Sequence, residues 1–330
     1  MSDSPMLPPE LLSDVLDCFV TYPSTDSCRI SAASAPANAE ARQVLASCTL
    51  VCRAWHAISS QRLFAQLFVV ANDRKYERRD DLKRFAALAK TSPRLQAHAT
   101  CLSVLGPLRD AKLIMDIVDA LHELCELRLY DCHLGLPDER KVVDAPARHA
   151  ALRTLVLDQP STGALTRSLL LFPNITHLFL SHPLPCGRSL FGHTDDFGVG
   201  YVRRHRAAQL ETIYVGSLED DAAGHLALLS RFTNASLLRE LAFIDRDPEG
   251  LDKPQGETEL KHIDHFCGNV GRCVTHLTLS MGHLRWDEDR LRSLRTLSAL
   301  ESLHLEVPWY SWEPPDAPRQ RARLCTKRAA

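Results

Sequence analysis

Long apolar runs and an excess of one charge are both missing from this sequence. No stretch approaches the roughly 18 uninterrupted apolar residues that a membrane span needs. Lysine and arginine number 39 and aspartate and glutamate 41, so the formal net charge is −2. A balance this even provides no general attraction to nucleic acid or to an acidic membrane surface. We therefore expect neither nucleic acid nor a membrane among the partners of this protein.

The familiar catalytic and cofactor-binding motifs are also missing. The sequence contains no G-x-x-x-x-G-K-[ST], G-x-G-x-x-G, G-x-S-x-G, H-E-x-x-H or calcium-loop motif. We therefore predict no catalytic residues and no cofactor. An enzyme of unrecognised type stays an alternative, and its only support is one group of possible metal ligands: His262, His265, Cys267, Cys273 and His276. Their spacing fits no familiar zinc site, so we interpret them as a helix-to-strand junction with buried thiols and predict no metal.

The cysteines and the start of the chain bear on the compartment. Residues Met1 to Pro9 lack the basic and apolar regions of a secretory signal. The eleven cysteines are an odd number and are scattered, which is typical of reduced, buried thiols rather than of disulfides. We therefore expect a protein of the cytoplasm, the nucleus or both. Cys48 and Cys52 are four residues apart on a predicted helix, so we expect both thiols on one buried side.

One short pattern of apolar residues recurs along the last three-quarters of the chain. It has the form apolar-x-x-apolar-x-apolar, and residues two apart on a strand point to the same side. The fourth position of the pattern falls at residues 102, 127, 155, 178, 213, 241, 277 and 303, at intervals of 23 to 36 residues. A further weak copy is Leu67-Phe-Val69. We predict a short strand with one buried face at each of these places.

Segments with helical periodicity lie between these predicted strands. One apolar stripe runs from Leu113 to Leu121, and leucines at 291, 294, 297 and 300 suggest another helix. A strand and a helix every 23 to 36 residues resembles the leucine-rich repeat, over roughly residues 95 to 307. The resemblance implies an α/β fold: an irregular solenoid with parallel strands on its concave face and helices outside. The alternative is a compact parallel α/β domain of the nucleotide-binding kind. That domain needs a glycine-rich first turn, and this chain has only 14 glycines.

Two segments near the N-terminus carry a second resemblance. The first is LPPELLSDVLDCF, which begins at Leu7, and the second is LASCTLVCRAWHAISSQRLF, which begins at Leu45. An L-P-x-E-[LI]-[LI] opening followed by Cys-x-x-Val-Cys-[RK]-x-Trp resembles the F-box. The resemblance implies a small helical module that docks on the adaptor subunit of a Skp–cullin–F-box ubiquitin ligase. Its departure from the family pattern is an inserted loop at residues 21–43.

These patterns divide the chain into an F-box-like helical module (1–66), a leucine-rich-repeat solenoid (67–310) and a C-terminal cap with a solvated basic tail (311–330). The module is too small to bury all its apolar residues, so we expect some of them to contact the adaptor. The candidates are Leu7, Pro8, Leu11, Leu12, Leu16, Leu50, Val51, Trp55 and Leu63. On the solenoid, outward strand positions are candidates for binding a protein substrate: Arg128, Tyr130, His177, Phe179, Tyr214, His276 and His304.

An F-box followed by leucine-rich repeats resembles the substrate receptors of ubiquitin ligases. We therefore expect a subunit without catalytic residues that acts in ubiquitin-dependent protein degradation. Its partners would be a Skp-type adaptor, the cullin ligase complex and a protein substrate that the sequence does not identify. The alternative is a non-enzymatic repeat protein that binds other proteins and takes no part in a ligase. That alternative predicts no adaptor complex, and it predicts that the solenoid stays folded when residues 1–64 are removed.

Overall fold

The computed structural model describes the chain in segments, and its main feature is one ten-stranded sheet. The described residues are 16, 42–70, 79–106, 111–130, 149, 151–158, 160, 162–181, 208–216, 222–245, 256–281, 294, 297–306 and 324–327. The strands are β1 Gln66–Val70, β2 Cys101–Leu105, β3 Glu126–Tyr130, β4 Thr154–Asp158, β5 His177–Ser181, β6 Thr212–Gly216, β7 Glu240–Asp245, β8 His276–Met281, β9 Ser302–Glu306 and β10 Leu324–Lys327.

Helices lie between several of these strands in the described part of the chain. They are α1 Arg53–Ala65, α2 Arg79–Thr91, α3 Pro93–His98, α4 Ala111–Ala120, α5 Thr162–Leu171, α6 Ala222–Phe232 and α7 Gly256–Val270, and residues 42–48 are helical as well. A short 3-10 helix, Gly271–Cys273, follows α7. Ser92 caps α3, because its hydroxyl accepts the N–H of Leu95 and Pro93 takes the first helical position. Among the described residues, no helix is long and apolar enough to cross a membrane.

The strands lie in the sheet in the order in which they occur in the sequence. The order is β1 to β10, so that each strand lies beside the next one in the sequence; β1 to β9 are parallel, and β10 is antiparallel to β9. A nucleotide-binding domain of the doubly wound kind needs a point where the strand order reverses, and this sheet has none. The predicted α/β class with parallel strands is therefore confirmed, and the order of the strands is solenoid-like.

The predicted apolar positions form two continuous rows across the sheet, on the side that the helices cover. Leucines 67, 102, 127, 155, 178, 241, 277 and 303, with Ile213 among them, are paired in register, and a second row runs two residues later from Val69 to Leu305. Both rows are buried from β2 to β8, in one cluster with residues of α2, α4, α5, α6 and α7. The sheet and the helices therefore share one core.

A backbone contact also joins each unit to the next, just before the strands begin. The carbonyl oxygen of Thr100 accepts the N–H groups of Cys125 and Glu126, at 2.8 and 3.0 Å. The carbonyl groups of Cys125, Arg153, Thr176, Glu211, Arg239 and Thr275 each accept two N–H groups of the following unit in the same way, at 2.8–3.0 Å. Because each unit satisfies backbone groups of its neighbour, the units depend on one another for stability.

Two expectations about secondary structure need correction. The helix predicted through Leu300 is wrong at its end, because Leu297 and Leu300 donate to the carbonyl groups three residues before them, at 3.1 Å, and residues 298–299 form a turn. The basic tail was expected to be solvated, but Leu324–Lys327 pairs with β9. Leu291 of the predicted helix lies outside the described residues, and so do residues 311–323 and 328–330 of the predicted C-terminal cap and tail.

Candidate functional sites

The N-terminal helical residues form a small apolar core of their own. Leu16 and Leu45 are buried, and they are packed by Cys48, Trp55, Ile58 and Leu63. Leu16 is completely buried, so its predicted contact with an adaptor is replaced by a role in this core. Trp55 and Leu63 are partly buried against the same cluster. The other predicted adaptor contacts, Leu7, Pro8, Leu11 and Leu12, lie outside the described residues.

A turn at residues 49–52, called the Leu50 turn here, separates the helical residues 42–48 from α1. The N–H groups of Leu50 and Val51 donate to the carbonyl groups of Ser47 and Cys48, at 3.0 and 3.2 Å. The ring Nδ1 of His56, on α1, lies 3.0 Å from the carbonyl oxygen of Thr49. These contacts hold a turn whose two aliphatic side chains face outward. Leu50 is 85% exposed and Val51 is 64% exposed.

The same turn overturns the prediction about Cys48 and Cys52. Helical structure ends at Cys48, and the hydroxyl of Thr49 donates to the carbonyl oxygen of Ala46 at 2.6 Å, a local bond that competes with continuation of a helix. Cys52 is in extended conformation at the N-cap of α1 and is exposed. The two thiols therefore do not lie on one buried side of a single helix.

The helix α1 joins the N-terminal core to the sheet without a linker. It ends at Ala65, and β1 begins at the next residue. The carbonyl oxygen of Ala65 accepts the N–H and the hydroxyl of Thr100, at 2.9 and 3.1 Å. Arg42 donates through Nη2 to the carbonyl oxygen of Gln66 at 2.5 Å. Phe64 packs against the main core while its neighbour Leu63 packs against the N-terminal one.

A second candidate site is the face of the sheet away from the helices, called the open sheet face here. Its side chains also form rows in register. The central row is Phe68, Ser103, Arg128, Val156, Phe179, Tyr214, Ala242, Thr278 and His304, and the row toward the amino ends of the strands is Gln66, Cys101, Glu126, Thr154, His177, Thr212, Glu240, His276 and Ser302. Tyr130 lies two residues after Arg128, in a third row. All seven predicted substrate-binding residues thus share this face, and for the six other than Tyr130 the binding role stays a prediction.

Exposure on the open sheet face is uneven. Tyr130 is only 5% exposed, so its interpretation as a substrate contact is corrected to that of a packed residue. Phe179 and Tyr214 are partly exposed, and their ring centroids lie 5.7 Å apart with the planes tilted by 36°. This is within the range of favourable aromatic pairs. Glu240 and His276, in the row toward the amino ends, are exposed.

The positive charge on this face is held in an ion pair. Arg128 donates through Nε to Glu126 Oε1 at 2.6 Å. Burial opposes the charged form of Arg128, but the hydrogen bond with Glu126 and nearby negative charge outweigh it, so the pKa of Arg128 is raised. Burial, and then the charge of Glu126, raise the pKa of the neighbouring Cys101 thiol to about 11. Glu126 is not among the residues predicted from the sequence, although a residue two positions from Arg128 on a strand must share its face.

Two of the histidines on this face are oriented by the residues before them. Thr176 Oγ1 lies 2.7 Å from Nδ1 of His177, and Thr275 Oγ1 lies 2.8 Å from Nδ1 of His276. His177 is on β5 and His276 is on β8, so two strands separate them. With neighbouring strands about 4.8 Å apart, the two rings are too distant to bind one small ion together.

The described members of the group of possible metal ligands near residue 267 differ widely in burial. Cys267 is buried in the main core, and burial, followed by the charge of Asp264, raises the pKa of its thiol to about 12. His265 and His276 are exposed, and Cys273 is partly buried. The side chain of His262 lies outside the described part. Within the part of the chain that is described, no three His, Cys, Asp or Glu residues are grouped so that they could hold a metal ion.

Comparison with known proteins adds no identification. No family model matches this chain, and no curated protein matches it.

Proposed function

We propose that this protein is the substrate-recognition subunit of a Skp–cullin–F-box ubiquitin ligase. In this proposal an N-terminal F-box docks on the adaptor, and a leucine-rich-repeat solenoid binds a protein substrate. The two N-terminal segments that resemble the F-box and the apolar repeat support it. The single observation that supports it most is the Leu50 turn, where two aliphatic side chains of the F-box-like segment are exposed on a hydrogen-bonded backbone.

Exposure at the Leu50 turn needs an explanation, because the same short segment contributes buried residues to a core. Leu45 is buried five residues before Leu50, and Trp55 packs on that core five residues after it. Full burial of an aliphatic side chain is worth about 1.5–3 kcal/mol. Contact with a partner would therefore supply several kcal/mol from Leu50 and Val51 together, and the backbone of the turn is already ordered.

A receptor of this kind does no chemistry of its own. It raises the effective concentration of a substrate lysine near a ubiquitin-charged enzyme. The direct connection from α1 to β1 suits that role, because it leaves no flexible linker between the Leu50 turn and the first strand of the sheet.

The test is titration of a purified Skp-type adaptor into the full chain. In the variant Leu50→Asp/Val51→Asp we expect affinity to fall at least a hundredfold, because two carboxylates would have to be desolvated in an apolar contact. Both side chains are exposed, so the fold should persist. Leu88→Asp is the matched control, because Leu88 is 53% exposed on α2, outside the Leu50 turn. Its affinity should stay within twofold of the unchanged protein.

Trp55→Ala is a poor probe of this surface, because Trp55 packs against the N-terminal core and its removal would destabilise the module. If the unchanged protein does not bind the adaptor at micromolar concentration, the ligase proposal fails. The non-enzymatic binding protein outside a ligase then becomes the better interpretation. If Leu50→Asp/Val51→Asp binds as well as the control, the Leu50 turn is not the docking surface.

A further inference from the structure

The open sheet face has a partly exposed aromatic pair, Phe179 and Tyr214, between buried Val156 and Ala242, and an exposed carboxylate beside it. Val156, Phe179, Tyr214 and Ala242 occupy the same register position on β4 to β7. Glu240 is two residues before Ala242 on the same face, so it lies diagonally across from Tyr214. With strands about 4.8 Å apart and a rise of about 3.3 Å per residue, the two Cα atoms are about 8 Å apart. One short segment of a partner can contact both side chains.

The charges on this face distinguish between possible partners. Its described side chains include three carboxylates, Glu126, Asp158 and Glu240, and one guanidinium, Arg128. Arg128 is already paired with Glu126. Within the described part of the chain, Glu240 forms no ion pair, and it accepts only a long hydrogen bond, 3.4 Å, from the hydroxyl of Thr212. An incoming cation therefore meets an available carboxylate.

A phosphorylated segment would find no unpaired arginine among the described side chains of this face. Proteins bind phosphopeptides through clusters of arginine that are free to pair with the phosphate. Here the one described guanidinium, Arg128, is already paired with Glu126 and lies on β3, four strands from Glu240 on β7. A phosphate beside Tyr214 would therefore lie closer to the carboxylate of Glu240 than to Arg128. Like charges at that distance repel each other.

We infer that the open sheet face binds a partner segment in which an aliphatic or aromatic side chain stands next to a lysine or arginine, without phosphorylation. The apolar side chain covers Phe179 and Tyr214, and the cation pairs with Glu240. The inference rests on the proposed function, because it specifies the chemistry of the substrate segment that the receptor would recognise.

The test uses a phage library of random twelve-residue peptides, selected on the immobilised full-length protein. We expect the enriched peptides to contain an apolar residue next to lysine or arginine. Glu240→Lys and Tyr214→Ala should each weaken the best peptide at least tenfold. Glu123→Lys is the matched control, because Glu123 is exposed in the turn after α4 and carries the same charge change away from the sheet face. The affinity of this control for the best peptide should stay within twofold of that of the unchanged protein.

A synthetic copy of the best peptide with one added phosphoserine completes the test, and we expect it to bind at least tenfold more weakly. Tighter binding of the phosphorylated peptide would overturn the inference, as would enrichment of acidic peptides. It would also be overturned if no peptide were enriched over an unrelated immobilised protein, or if binding were insensitive to Glu240→Lys. None of these measurements involves the adaptor, so failure of this inference is distinguishable from failure of the ligase proposal.

Discussion

At the scale of single residues, two glycines near the end of α7 should respond in opposite ways to the same added methyl group. A Cβ at Gly268 would have no neighbour within 4 Å, whereas a Cβ at Gly271 would collide with Cδ2 of Leu297. Leu297 is itself buried, so its side chain cannot move away freely. Gly268→Ala should raise the free energy of unfolding by about 0.5–1 kcal/mol, because alanine favours the helix. Gly271→Ala should lower it by about 1–3 kcal/mol through overpacking.

Urea unfolding followed by circular dichroism measures both of these changes, and each glycine variant is the control for the other. Stabilisation of both variants would mean that the space around Gly271 can relax, and destabilisation of both would contradict the gain in helix stability expected at Gly268.

Residue-scale prediction from sequence succeeded where it depended on the local chain alone. Leu127 and Leu129 must share one face of a strand, and both are buried as predicted. The same rule placed Tyr130 and Phe179 on the opposite face but could not tell that Tyr130 is covered and Phe179 partly exposed. Exposure depends on which distant residues pack over a side chain, and the spacing of a strand carries no information about them.

At the scale of elements, the position of a strand in the sheet should decide how much its central leucine contributes. Leu178 and Leu303 occupy the same register row, but Leu178 on β5 is completely buried and Leu303 on β9 is only partly buried. Leu178→Ala should lower the free energy of unfolding by about 3–5 kcal/mol, because it leaves a cavity between two neighbouring units. Leu303→Ala should lower the free energy of unfolding by less than about 2 kcal/mol, because this partly exposed side chain buries less apolar area.

Chemical denaturation of the two alanine variants, compared with the unchanged chain, tests this order. Equal losses would show that β9 is as well packed as the middle of the sheet.

Element boundaries were less predictable than the strands themselves. The repeat predicted β1 to β9, but the apolar spacing through Cys48 and Cys52 suggested one helix where the chain makes the Leu50 turn. The turn is formed by i to i−3 backbone bonds and the hydroxyl of Thr49, which do not depend on apolar spacing. The carbonyl contacts between units were also absent from the prediction, since residues as different as Thr100, Arg153 and Glu211 make them.

At the scale of the whole molecule, the order of the strands was predictable, because repeated units of similar length stack on their neighbours in the sequence. The connection of the first helices to that stack was not predictable. A boundary after residue 66 suggested two independent parts, but α1 contributes Leu63 to one core and Phe64 to the other. The carbonyl group of Ala65 also accepts two hydrogen bonds from Thr100.

This shared helix predicts that damage to the N-terminal core spreads into the sheet. Leu45→Ala should open a cavity in that core at a cost of about 2–4 kcal/mol, so α1 should unfold more often. Whenever α1 unfolds, Thr100 loses its acceptor and β1 loses the helix that precedes it. Hydrogen exchange of the full chain, followed by mass spectrometry, should therefore speed up in peptides from α1 and from β2 by similar factors. Leu88→Ala changes an exposed residue on α2, so it should leave hydrogen exchange unchanged in both α1 and β2. Faster exchange in α1 with unchanged exchange in β2 would mean that the sheet is stable by itself, and that it stays folded when residues 1–64 are removed.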